Sequence, residues 1–83
     1  MTTYNGPATV IADGTEYEAT ARLTSTSNEW YGSLEVPDSG AAWDIFNARD
    51  RKLCIGDREA AFTAKSAATD MDIKGSGRPP FGN

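Results

Sequence analysis

The clearest pattern along the chain is an alternation of apolar and polar positions from Glu16 to Leu23. Successive side chains on a strand point to opposite sides, so Tyr17, Ala19, Ala21 and Leu23 share one face and Glu16, Glu18, Thr20 and Arg22 the other. A slip of one residue would expose the whole apolar set, which specifies the register of this strand tightly. Just ahead of it, Asp13 and Gly14 suit the positive φ angles of a two-residue type I′ turn. The stretch Ala8 to Leu23 is therefore predicted as one β-hairpin, with a first strand from Ala8 to Ala12. Residues 1–6 read as a lead-in, and Gly6 and Pro7 as a turn or edge that feeds the strand. Val10 and Ile11 are adjacent and both apolar, which predicts cover on both faces of it.

Beyond the hairpin, STSN at 25–28 reads as a loop. A third strand follows, with Trp30, Gly32, Leu34 and Val36 on one face and Tyr31, Ser33 and Glu35 on the other. Gly32 within it predicts a bulge, or a close approach by another backbone or ring. PDSG at 37–40 is a turn signal. The next stretch, AAWDIFNARD, carries both periods: Ala41, Ala42, Ile45 and Phe46 approximate helical spacing, whereas Trp43 and Ile45 alternate with Asp44 and Phe46. Its aromatic and β-branched content and its short length favour a strand. Further strands are predicted at Lys52 to Ile55, Ala60 to Ala64 and Met71 to Lys74, separated by NARDR and GDRE turns. The tail GSGRPPFGN cannot be regular, because its glycines and paired prolines deny it ladder bonds. Turn signals about every 8 to 12 residues and the absence of a convincing helix predict an all-β fold. The form expected is a small antiparallel barrel or sandwich of about six or seven short strands with an extended Pro/Gly-rich C-terminal tail.

Composition narrows the function more than it identifies it. With 83 residues the chain is read as one domain, residues 75–83 forming a tail that is either docked or flexible. The net charge is −4, and the eight Lys and Arg residues are scattered among 12 carboxylates, so the clustered cations that grip nucleic acid are missing. The start MTTYNGPATV lacks the basic and apolar regions of a signal peptide, and no apolar run is long enough to span a membrane. A cytoplasmic protein is expected, in keeping with a single cysteine.

The segments YNGPATVIADGTEYEATARL, WYGSLEVP and IKGSGRPPF, in that order, resemble a family of small actinobacterial β domains of unassigned function. Members of that family occur alone or at the C-terminal end of flavin-dependent monooxygenases. The likeness rests on Gly6 to Ala8, the Asp13–Gly14 hairpin, Arg22, Leu23, Trp30, Gly32, and the closing Gly75, Gly77, Pro79, Pro80 and Phe81. It does not extend over residues 41–69. No flavin-binding or nucleotide-binding segment is present, so the resemblance implies an accessory domain rather than oxidation chemistry. It also implies that Pro79, Pro80 and Phe81 cap one open end of the barrel, against the plainer reading of a flexible end.

Candidate chemistry is sparse. There is no histidine, so neither the commonest general base near neutral pH nor a Ser-His or Cys-His pair exists. Cys54, between Leu53 and Ile55, reads as a half-buried inert thiol, although Arg51 and Lys52 lie close in sequence. The carboxylate pairs Glu16 with Glu18 and Asp70 with Asp72 each share a strand face, where a solvated surface is the ordinary explanation. No catalytic, cofactor or metal site is assigned. What stands out is the aromatic content: Trp30, Tyr31, Trp43 and Phe46, with Arg22 and Phe81, are the candidate binding residues for a protein, peptide or small apolar ligand. Phe81 within RPPF is expected to dock on its own domain, the segment lacking a full PxxP pattern. The expected function is a non-enzymatic interaction or accessory module that binds a protein partner or a second copy of itself, through an exposed aromatic patch or an edge strand. The alternative is a barrel in which Trp30, Trp43 and Phe62 line a ligand cavity of roughly 300 Å³ or more.

Overall fold

The computed structural model describes residues 2–26, 29–75 and 78–81. The chain folds as β1 (Thr2–Ala12), β2 (Thr15–Ser25), β3 (Trp30–Glu35), α1 (Ser39–Asn47), β4 (Arg51–Ile55), β5 (Arg58–Ala64) and β6 (Asp70–Gly75). The strands close a barrel in the order β1-β2-β3-β6-β5-β4, every neighbouring pair antiparallel. It is thus two three-stranded meanders, β1-β2-β3 and β4-β5-β6, joined through α1 and sealed along β1–β4 and β3–β6. Residues 27 and 28 of the predicted STSN loop, and residues 76, 77, 82 and 83 of the tail, lie outside the described residues.

The hairpin forms as its sequence predicts. Asp13 and Gly14 take φ of 49° and 86°, and Ala12 pairs with Thr15 across the turn. The Asp13 carboxylate then accepts hydrogen bonds from the backbone N–H groups of Arg49 and Asp50, each at 3.0 Å, and the Asp13 N–H donates to the Asp50 carbonyl at 2.9 Å. The turn residue therefore also anchors the connection between α1 and β4. Inward positions alternate as expected: Val10, Ala21, Leu34, Leu53, Met71 and Ile73 are buried in one core. Leu34 pairs with Ala21, so the small alanines of β2 leave room for larger side chains of β3. Gly32 pairs with Leu23, and a Cβ on it would overlap the Arg22 carbonyl, which accounts for a glycine in mid-strand.

Two predicted elements are corrected. Residues 39–47 form α1, not a strand. Asp38 caps it in an extended conformation, its carboxylate accepting from the Ala41 N–H at 2.7 Å. Ala41, Ala42 and Ile45 then fall on the buried face at helical spacing. The last turn is closed from outside the helix, by Arg51 of β4: its Nε donates to the Ile45 carbonyl at 2.7 Å and a terminal nitrogen to the Phe46 carbonyl at 3.0 Å. The second correction is β1, which begins at Thr2 rather than Ala8 and runs straight through Gly6 and Pro7.

Both ends of the barrel are plugged. α1 lies at the end where β1 finishes and β4 begins. At the other end, Trp30 is fully buried and meets Phe81 edge-on, ring centroids 6.3 Å apart at 86°. Phe81 is 4% exposed and also faces Tyr4 at 6.0 Å. The indole lies over Gly75, where a Cβ would overlap it. Gly75→Ala is expected to lower stability by about 1–3 kcal/mol, the usual cost of overpacking a filled site. The urea midpoint at constant m-value measures it, and an unchanged midpoint would show that the ring has room to move.

Candidate functional site

The candidate residues sit in three places. Trp30 and Phe81 belong to the core and offer no surface to a partner. Tyr31 is 39% exposed on the outer face of β3, opposite Thr24 of β2 and Lys74 of β6. Arg22, exposed on β2 and paired with Ser33, stands diagonal to it. Trp43 and Phe46 are on α1, towards the opposite end of the barrel. The three aromatics proposed to line a cavity do not meet around one: Trp30 and Phe62 are in the core, while Trp43 is outside it.

Trp43 is the most exposed large apolar side chain described, at 60%. The helix puts it there. With Ala41, Ala42 and Ile45 turned to the barrel, position 43 falls on the opposite side and position 46 on the flank. Phe46 is half-buried against the core and stacks with Trp43, centroids 6.3 Å apart and planes 28° apart. The pair is steadied by backbone contacts, since the Asn47 side-chain amide donates to the Trp43 carbonyl at 2.9 Å and Arg51 holds the Phe46 carbonyl. On the other flank of α1, the Tyr17 hydroxyl donates to an Asp44 carboxylate oxygen at 3.1 Å. Partial burial of the Tyr17 ring, that hydrogen bond, and the charges of Asp44 and Asp38 together push its phenol above the ordinary value of 10.0.

The strand surfaces carry less chemistry. An open cleft of about 550 Å³ crosses the outside of β4, β1, β2 and β3, lined by Pro7, Thr9, Glu18, Thr20, Glu35 and Cys54 among others. The Cys54 thiol is held above its ordinary value of 9.0, first by burial and then by Glu59 and Glu16, against a smaller opposing effect of Lys52. Its sulfur lies 3.9 Å from the Glu59 carboxylate. That thiol is protonated at neutral pH and is a poor nucleophile. A second cleft, of about 600 Å³, is lined by Arg58, Glu59, Arg78 and Pro79. Among the described residues, no group of three or more His, Cys, Asp or Glu side chains is placed to hold a metal ion.

Sequence reasoning singled out Trp43 and Phe46 but not their helix, and it missed the Tyr17–Asp44 contact altogether. The readable signal was Asp38, three residues before Ala41, at the spacing of an N-cap. No helix among the described residues is long and apolar enough to cross a membrane. The strands put Glu16, Glu18, Arg22, Glu35, Asp70 and Asp72 on exposed positions, whereas a barrel crossing a bilayer turns an apolar band to the lipid. Comparison with family models, with curated proteins and with solved structures finds no match to this chain.

The two raised values give stability a sign at alkaline pH. The folded protein holds the Cys54 and Tyr17 protons where the unfolded chain has begun to release them. Their contribution is intact below pH 9.0 and is lost as pH rises through the ordinary values of 9.0 and 10.0 towards the folded ones. Urea midpoints measured across this range should fall with rising pH, less steeply in a Glu59→Gln, Asp44→Asn variant. A profile identical in the variant would dismiss the two carboxylates as causes.

Proposed function

We propose that this chain is a non-enzymatic interaction module that docks a protein partner on the Trp43–Phe46 pair of α1. The observation that carries this reading is the 60% exposure of Trp43 on a domain whose interior is already filled. A tryptophan ring left 60% in water forgoes about 2–4 kcal/mol that full burial would supply. Stacking on Phe46 restricts the ring, and hydrogen bonds to both carbonyls hold the backbone beneath it, so part of the ordering cost is met before binding. Trp is also the residue type most enriched among the side chains that dominate interface energies. Asp44 and Asp38 lie on the same element and at its cap, which favours a partner that sets cations around an apolar contact. A cytoplasmic setting belongs to the same reading and is supported by the lone cysteine, which leaves no internal disulfide.

The test is capture from the native cell with the wild-type chain and with Trp43→Ala in parallel. Because Trp43 makes its packing contact outside the core, the variant should keep its stability within about 0.5 kcal/mol. Its specific partner should bind at least about tenfold more weakly, the effect of an interface anchor. Recovery of the same proteins in the same amounts by both would remove the basis of the reading.

A further inference from the structure

The barrel is closed in strand order but not along the whole of β1. All of β1 pairs with β2, from Thr2 with Ser25 to Ala12 with Thr15, whereas β4 reaches only Thr9 to Ala12. Among the described residues, nothing pairs with Thr2–Ala8 on the side turned away from β2. The direction of its backbone groups follows from the turn. A two-residue hairpin makes Ala12 and Thr15 exchange hydrogen bonds, so even-numbered residues of β1 address β2 and odd-numbered ones face the other way. The Asp13 N–H, which donates to Asp50 on the β4 side, obeys the same parity.

Thr3, Asn5 and Pro7 therefore present their backbone to the open edge. Pro7 has no N–H to offer, and its carbonyl is taken by the Tyr4 hydroxyl at 2.6 Å. The edge is thus blunted at Pro7 and competent at Thr3 and Asn5, both exposed, each with one donor and one acceptor. We infer that this edge pairs antiparallel with the same edge of a second copy of the chain, Thr3 of each facing Asn5 of the other about a twofold axis at Tyr4. This arrangement makes both facing pairs hydrogen-bonded ones and gives four backbone bonds. A register two residues longer would set Thr3 against Pro7 and lose a donor. Charge also selects this occupant. The chain carries a net charge of −4, yet residues 2–7, Thr-Thr-Tyr-Asn-Gly-Pro, hold no charge at all, so two copies meet here without like charges face to face.

Four hydrogen bonds make a weak contact, read by concentration. Sedimentation equilibrium from micromolar to millimolar protein should show the mass rise from one chain to two, and amide exchange at Thr3 and Asn5 should slow over the same range. Asn5→Pro removes an edge donor that the β1–β2 ladder does not use, and should keep the mass of one chain throughout. If that variant fails to fold, Thr3→Lys with Asn5→Lys serves instead, placing like charges around the axis with the same expected loss of the dimer. Trp43→Ala should dimerise as the wild type does, which separates this surface from the helix face. A wild-type chain that stays single at millimolar concentration overturns the inference, as does a dimer that survives the edge variants or is abolished by Trp43→Ala.

Discussion

The indole of Trp30, laid over Gly75 and met edge-on by Phe81, seals one end of a barrel built from only 83 residues. A chain of this size has no second layer to spare, and a six-stranded barrel left open would admit water to its core. The ring is large enough to decide the matter. Burying an aromatic of this kind removes some 150–250 Å² from water, about 4–6 kcal/mol. Its Nε1–H is buried and has no hydrogen-bond partner among the described residues, and a buried donor left unpaired costs about 1–3 kcal/mol. Shape therefore outweighs polarity here, and the residues around the ring are chosen for space: a glycine beneath it and an aromatic edge beside it.

The opposite end is closed by a different device. α1 has nine residues, too short to be stable by itself in water, and its ends are satisfied by side chains brought from outside it. Asp38 takes an N–H at the start, Arg51 two carbonyls at the finish, and Asp13 pins the connection that follows. This dependence has a functional consequence. A helix that plugs a barrel buries one face only, so whatever lies on its other face is presented to solvent on a rigid support. Trp43 occupies that position, which makes the plug and the candidate docking surface one element.

Much of this was legible in the sequence, and the failures have identifiable causes. Asp13–Gly14 and the alternation from Glu16 to Leu23 could be read because turn chemistry and a period of two agreed. The stretch from Ala41 to Ala48 was misread because two periods coexist in it. Trp43 and Ile45 look like one face of a strand only if Trp43 is assumed to be core. Once Asp38 is recognised as a cap, the phase of Ala41, Ala42 and Ile45 is helical and Trp43 must point away. The error came from giving aromatic and β-branched content and short length more weight than the cap. The same content marked Trp30 correctly as a strand residue, because there a period of two runs on to Leu34, which pairs with Ala21. Identity of residue could not separate the two tryptophans; only the geometry of the element carrying each could.

The start of β1 was misread for a related reason. Gly6 and Pro7 usually interrupt a strand, and in its middle Pro7 would break the ladder. Here parity removes the conflict, since position 7 turns its backbone away from β2 and no donor is missed. A proline tolerated within a paired strand thus marks the side on which that strand has no neighbour. Read in this way, Pro7 locates an edge that the closed strand order conceals, because the order records which strands touch and not for how far. Beside an 11-residue β1, the five-residue β4 reaches only Thr9–Ala12, and among the described residues no strand pairs with Thr2–Ala8 on that side. The Tyr4 hydroxyl covers the portion at Pro7, and among the described residues the hydrogen-bonding capacity that remains on this edge lies at Thr3 and Asn5.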